Sequence, residues 1–329
     1  MPLGGGLGVG GLVAVEYRPD VGCSGGADVS CPYQVSEQKV GGWGCSGKRV
    51  GGHRRTVPQM EPRPFLTDTT GGPGDPLVLI PGGLTGWVSW VPFVEPLSQG
   101  RTVVRVQPTQ NELGGMNGLV GNPEYSAEVE LAGLLLALDG AGLDRVHVAG
   151  WSNGGKIALH LALAHPERVR SLTLIEPGTS WLLQTAGTST PDLASFVDRT
   201  HSLAGREVTD DDLAEFFVSA GVVPVGLDRA ALEQLPVWAT SHPFRNALSW
   251  GWPATWGEHH VDQLASIRCP TLVVRGDETA AWLSATAALV AERIPNAELL
   301  ELPGGHACHL QNPDAFLAAF RRHLDAVPA

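Results

Sequence analysis

Gly150-Trp151-Ser152-Asn153-Gly154 places a serine between two glycines, directly after the apolar run Val146-His147-Val148-Ala149. A serine so placed can act as a nucleophile. On a sharp strand-to-helix turn its Oγ stands clear of the backbone, and the flanking glycines remove the Cβ atoms that would clash there. Gly-x-Ser-x-Gly is a short pattern in a chain with 42 glycines, so the elements on either side must carry the argument. Both have the right character. The run before it reads as a buried strand. Gly155-Lys156-Ile157-Ala158-Leu159-His160-Leu161-Ala162-Leu163-Ala164 is rich in helix formers and apolar nearly all round, as suits a helix laid against a sheet.

The elements that would hold such a serine recur along the chain. From Pro64 onward strand-like and helix-like segments alternate, which predicts an α/β fold with a mostly parallel central sheet and helices on both faces. The apolar segments 76–80, 102–106, 171–175, 271–275 and 297–301 read as strands. Segments 87–97, 127–138 and 313–324 read as helices. Nearly a hundred residues without a convincing strand separate Ile175 from Thr271, far more than an ordinary connection needs. The expected domain plan is a core of residues 61–176 and 270–329, interrupted by a helical cap over 177–269. Within the cap, 210–220 and 229–234 look helical, and Trp238, Trp250, Trp252 and Trp256 crowd the second half. These tryptophans are either ordinary cap core or an aromatic wall over an apolar ligand, with Trp238 the best candidate for contact.

Composition narrows the partners. At 329 residues and 43% hydrophobic the chain can bury a large core. A net charge of −12 argues against nucleic acid and anionic lipid as partners, since both call for clustered Lys and Arg, and leaves a small-molecule substrate. The five cysteines form no C-x-x-C pair and their odd number suggests no disulfide framework, so a reducing cytoplasm is expected. Residues 1–60 are Gly-rich, hold three of those cysteines and carry +2 against −14 for the remainder. They are expected to be a poorly ordered extension, and the apolar stretch 3–15 is too short and too glycine-broken to span a bilayer. A homodimer is left open.

Several motifs in the right order make the chain from about residue 64 to 325 resemble an α/β-hydrolase with a cap domain. The resemblance implies a general base on the loop after the last strand, where Leu302-Pro303-Gly304-Gly305-His306 supplies His306, with His309 as a rival. It implies an oxyanion hole made by the turn Ile80-Pro81-Gly82-Gly83-Leu84 and the residue after the nucleophile, which assigns the backbone N–H groups of Gly83 and Asn153. The acid departs from the common family pattern: Thr279 stands in Gly276-Asp277-Glu278-Thr279 where a carboxylate is usual. Glu176, at the end of the strand beside the serine's own, is favoured, with Asp277 as the alternative acid. Three features together, Pro81-Gly82-Gly83, Glu176 and Pro236-Val237-Trp238-Ala239, further resemble the zearalenone-type lactone hydrolases. That likeness implies an ester or lactone substrate facing Trp238, although Trp151 and Asn153 differ from that group's usual residues; Leu84 and Trp151 are further candidates for substrate binding. Carbon–carbon bond hydrolysis on the same triad and a ligand receptor on the same fold are the alternatives. Neither a cofactor nor a metal is implied, His306 and His309 having no carboxylate ligands beside them in sequence.

Overall fold

The computed structural model describes residues 60–122, 124–250 and 259–327. The extension expected over residues 1–60 therefore falls, except for Met60, outside the described residues. So do Trp252 and Trp256.

Seven strands form one sheet: β1 (Leu66–Thr70), β2 (Leu77–Ile80), β3 (Val103–Gln107), β4 (Val146–Trp151), β5 (Val169–Ile175), β6 (Thr271–Gly276) and β7 (Ala297–Leu302). Their order is β1-β3-β2-β4-β5-β6-β7, and every neighbouring pair is parallel except β1 with β3. The protein thus has the α/β architecture read from its alternating pattern, with an antiparallel edge strand added. Strand β1, Leu-Thr-Asp-Thr-Thr, alternates between half-buried and exposed residues. It lacks the continuous apolar run that marks the central strands, which is why the sequence shows no sign of it. The helix over Ala281–Arg293 is likewise absent from the sequence reading.

Long helices cover both faces: α1 (Val91–Ser98), α2 (Ala127–Gly140), α3 (Asn153–Ala164), α6 (Ala281–Arg293) and α7 (Pro313–Asp325), while α4 (Leu193–Leu203) and α5 (Asp210–Ser219) belong to the stretch between β5 and β6. Alternation along β2 sorts the core. Val78 and Ile80 pack with Leu134, Ile157 and Ala287 of α2, α3 and α6, whereas Leu77 and Leu79 pack with Phe93, Phe316 and Phe320 of α1 and α7. Ser126 caps α2, its hydroxyl accepting the Val129 N–H at 3.4 Å.

Between β5 and β6 the described residues hold helices and turns and no strand. Phe196, Leu213, Phe217, Leu232 and Trp238 form a separate apolar cluster there that reaches Leu84 and Trp282 of the sheet-bearing part. A short helical stretch, His242–Trp250, lies on the loop after β3: the Asn246 amide donates to Gly118 O at 2.8 Å and the Trp250 indole to Leu119 O at 3.2 Å.

Candidate active site

Strand β4 runs buried to Trp151, and Ser152 turns the chain into α3 with φ 54° and ψ −113°. Such a conformation is strained for any residue with a Cβ. The neighbours show why the two glycines are there. A Cβ at Gly150 would lie 2.1 Å from Gly154 O, and one at Gly154 would lie 2.3 Å from Ile80 O. The strained turn is pinned by Ser152 N–H donating to Ile175 O at 2.9 Å and by Gly178 N–H donating to Ser152 O at 3.0 Å.

Glu176 leaves the end of β5 with φ 46°, and with Ser152 it makes up the non-glycine residues of positive φ among the described residues. Parallel pairing of β4 and β5 puts Trp151 beside Ile175, so both departures occur at one carboxyl edge of the sheet. The Glu176 side chain is fully buried and its charge is met on both oxygens. Oε1 accepts the Gly276 N–H at 2.7 Å. Oε2 accepts the Thr279 hydroxyl at 2.6 Å and lies 3.2 Å from His306 Nδ1. On the far side of the ring, His306 Nε2 lies 3.0 Å from Ser152 Oγ.

Serine, histidine and glutamate are therefore in contact in the order their chemistry requires, across 154 and 130 residues of sequence. Asp277, the alternative acid, is exposed and does something else: its Oδ1 accepts Gly304 N–H at 2.8 Å, which braces the loop that carries His306. Thr279, in the place where a carboxylate is usual, contributes a hydroxyl to Glu176 instead. His309, the rival base, is fully buried among Trp90, Phe93, Trp151 and Phe316. Burial lowers its pKa to about 3, with His306 pushing the same way, so it is a neutral core ring.

The turn after β2, Pro81 to Leu84, is buried and adjoins the start of α3, as the Gly154–Ile80 approach shows. Asn153 N–H stands at the first position of α3, directly after Ser152. Two further contacts in this region had no signal in the sequence. The Asn111 amide donates to Gly82 O at 3.2 Å and to Gly83 O at 2.9 Å. The Trp151 indole donates to His306 O at 2.8 Å, and its six-membered ring lies where a Cβ on Gly82 would approach within 3.0 Å. Trp151 is thus a strut between the histidine loop and the Gly82 turn, and at 6% exposure it has little surface left for a ligand. Trp238 is also spent on packing: its ring meets Phe217 and His242, and the Arg229 guanidinium stacks on it at 4.5 Å. Leu84 is buried beside Gly83 and joins the same apolar cluster as Trp238.

A sharp serine turn, a buried carboxylate and a bridging imidazole at the carboxyl edge of a parallel sheet define a class, and comparison with known proteins gives it a name. Residues 121–313, more than half the chain, match the family model described as alpha/beta hydrolase fold. The chain belongs to the α/β-hydrolase fold family and, with its named relatives, is a hydrolase. It is 29% identical over 253 residues to RutD of Azorhizobium caulinodans, a candidate carbamate hydrolase, covering 74% of this chain and 89% of that one. To the rhodomycin D methylesterase DnrP of Streptomyces peucetius it is 28% identical over 284 residues, covering 78% and 93%. A crystal structure of a hydrolase from Pseudomonas aeruginosa shares the fold with a TM-score of 0.64 at 24% identity, over 80% of this chain and 98% of the other. Among the described residues, no helix is long and apolar enough to cross a membrane.

Proposed function

We propose that the protein is a serine hydrolase that cleaves a carboxylic ester or lactone of an apolar or aromatic small molecule through an acyl-enzyme. The observation that carries the reading is the bridging imidazole, His306, with Ser152 Oγ on one nitrogen and Glu176 Oε2 on the other. In the proposed reaction His306 Nε2 takes the Ser152 proton as Oγ bonds to the carbonyl carbon. The imidazolium so formed is held by the buried Glu176 carboxylate through Nδ1–H. The tetrahedral oxyanion is received by the N–H groups of Gly83 and Asn153, each worth about 3 kcal/mol to the barrier. His306 then returns the proton to the departing alkoxide. Water, activated by the same imidazole, releases the acid and restores Ser152.

The segment 177–269 is read as a cap, and Leu84, which belongs both to the turn after β2 and to that segment's apolar cluster, as a wall of the substrate site. The ester class is supported by the methylesterase relative. The carbamate named for the other relative is a carbonyl compound open to the same attack.

The test is labelling by a fluorophosphonate followed by a hydrolysis panel of aryl esters, lactones, carbamates and a ring-fission dienoate. Peptide mass spectrometry should place the label on Ser152. Esters or lactones should turn over, and Ser152→Ala should lower kcat by about 10⁴-fold or more, because the triad acts as a unit. Wild-type turnover in Ser152→Ala, or activity confined to the dienoate, would refute the assignment.

A further inference from the structure

We infer that Asn111 is the residue that aims the oxyanion-binding N–H of Gly83. The inference rests on the serine-hydrolase reading above and extends it to a residue outside the triad. Strand β3 runs parallel to β2, with Val104 beside Val78, so the segments leaving their carboxyl ends emerge side by side. Pro108 follows β3 in extended backbone and then starts a single helical turn, its carbonyl accepting the Asn111 N–H at 2.9 Å. That turn delivers the Asn111 side chain, fully buried, to the Gly82-Gly83 peptide units.

Its Nδ2 donates to both carbonyls, at 3.2 Å and 2.9 Å. The assignment of the amide is forced by chemistry: with the group turned over, Oδ1 would face two carbonyl oxygens and no donor. Among the described residues, Oδ1 has no hydrogen-bond partner, so the side chain's polar contacts are spent on this turn. All peptide bonds described are trans. In a trans peptide the C=O and the following N–H point in opposite directions. Holding Gly82 O toward Asn111 therefore directs Gly83 N–H away from it, and holding Gly83 O does the same for Leu84 N–H. Apart from Asn111, the hold on this Gly-Gly unit among the described residues is the long bond from Thr85 N–H to Gly82 O at 3.4 Å, and neither glycine has a Cβ to restrict its peptide planes. Asn111 is thus a positioning residue: it touches no reacting atom and acts through the peptide of Gly83.

The experiment compares the parent with Asn111→Ala, Asn111→Ser and Asn111→Asp on an aryl ester. It measures kcat, KM, and the inhibition constants of an aryl trifluoromethyl ketone and of the matching planar methyl ketone. The first ketone captures Ser152 as a tetrahedral adduct, and the second binds as a carbonyl. Asn111→Asp keeps the shape and removes the donor, so it serves where the smaller side chains fail to fold. Loss of kcat by about 10²-fold with KM within about threefold is expected. Affinity for the trifluoromethyl ketone should fall in step while that for the methyl ketone holds. Variants whose kcat stays within threefold of the parent, or which lose both ketones equally, would overturn the role of Asn111. Failure of the parent itself to take a fluorophosphonate at Ser152 would strike the underlying reading instead.

Discussion

Glu176 and Thr279 meet across 103 residues of sequence, and their contact explains how a carboxylate can sit on β5 while the usual position after β6 holds a hydroxyl. Oε2 is shared: it faces the imidazole and accepts from Thr279 at 2.6 Å, so the hydroxyl fixes the rotamer that aims the acid at His306. Replacing Glu176 by Ala should lower kcat by roughly 10³- to 10⁴-fold, since the imidazole loses both orientation and charge stabilisation. Because position 279 already reaches that oxygen, Glu176→Ala combined with Thr279→Asp should recover at least about tenfold of this loss in kcat. Steady-state kinetics on one ester decides it, and a double variant no better than Glu176→Ala would show that the two positions are not interchangeable. Ser152 and His306 were legible because each sits in a local motif. Glu176 was legible from its place at a strand end. The hydroxyl of Thr279, the amide of Asn111 and the indole of Trp151 were not, because their partners are brought to them only by the sheet's strand order.

At the scale of elements, the passage from β4 to α3 tolerates no added bulk, and its neighbours grade the penalty. A Cβ at Gly154 would fall 2.3 Å from Ile80 O and 2.6 Å from Pro81 O, which are backbone atoms that cannot turn aside. At Gly155 the nearest atoms are Pro177 Cα and Cβ at 3.1 Å, which need yield only a few tenths of an ångström. Gly154→Ala should therefore cost at least about 1–3 kcal/mol in urea unfolding and displace the turn after β2, with activity falling further than stability alone explains. Gly155→Ala should cost less on both counts. Equal effects of the two substitutions would contradict this account of the elbow. The strands beside this passage could be read from their apolar runs. Edge strand β1 could not, because its half-exposed Leu-Thr-Asp-Thr-Thr pattern resembles that of a polar connection.

Away from the serine, histidine and glutamate cluster, the described residues hold a second group of buried ionisable side chains. Glu130 on α2 is fully buried, together with Tyr125 and with Lys156 on α3. Burial raises its pKa to about 7 from an ordinary 4.5, with the Tyr125 hydroxyl and the Lys156 charge pulling the other way. The folded protein thus holds this proton more tightly than the unfolded chain. Stability is unaffected by the group below about pH 4.5, falls as pH rises toward 7, and stays reduced above. Glu130→Gln, which cannot ionise, should gain on the parent across that interval and keep a level advantage beyond it. Urea unfolding from pH 4.5 to 8 measures the difference, and a pH-independent gap would rule the titration out. The Trp151 indole has a consequence on the same broad scale. One rigid plate touches both the loop bearing His306 and the turn at Gly82. On the proposed reading, a displacement of either region, though they lie far apart along the chain, would press on this shared plate and disturb the alignment of the other.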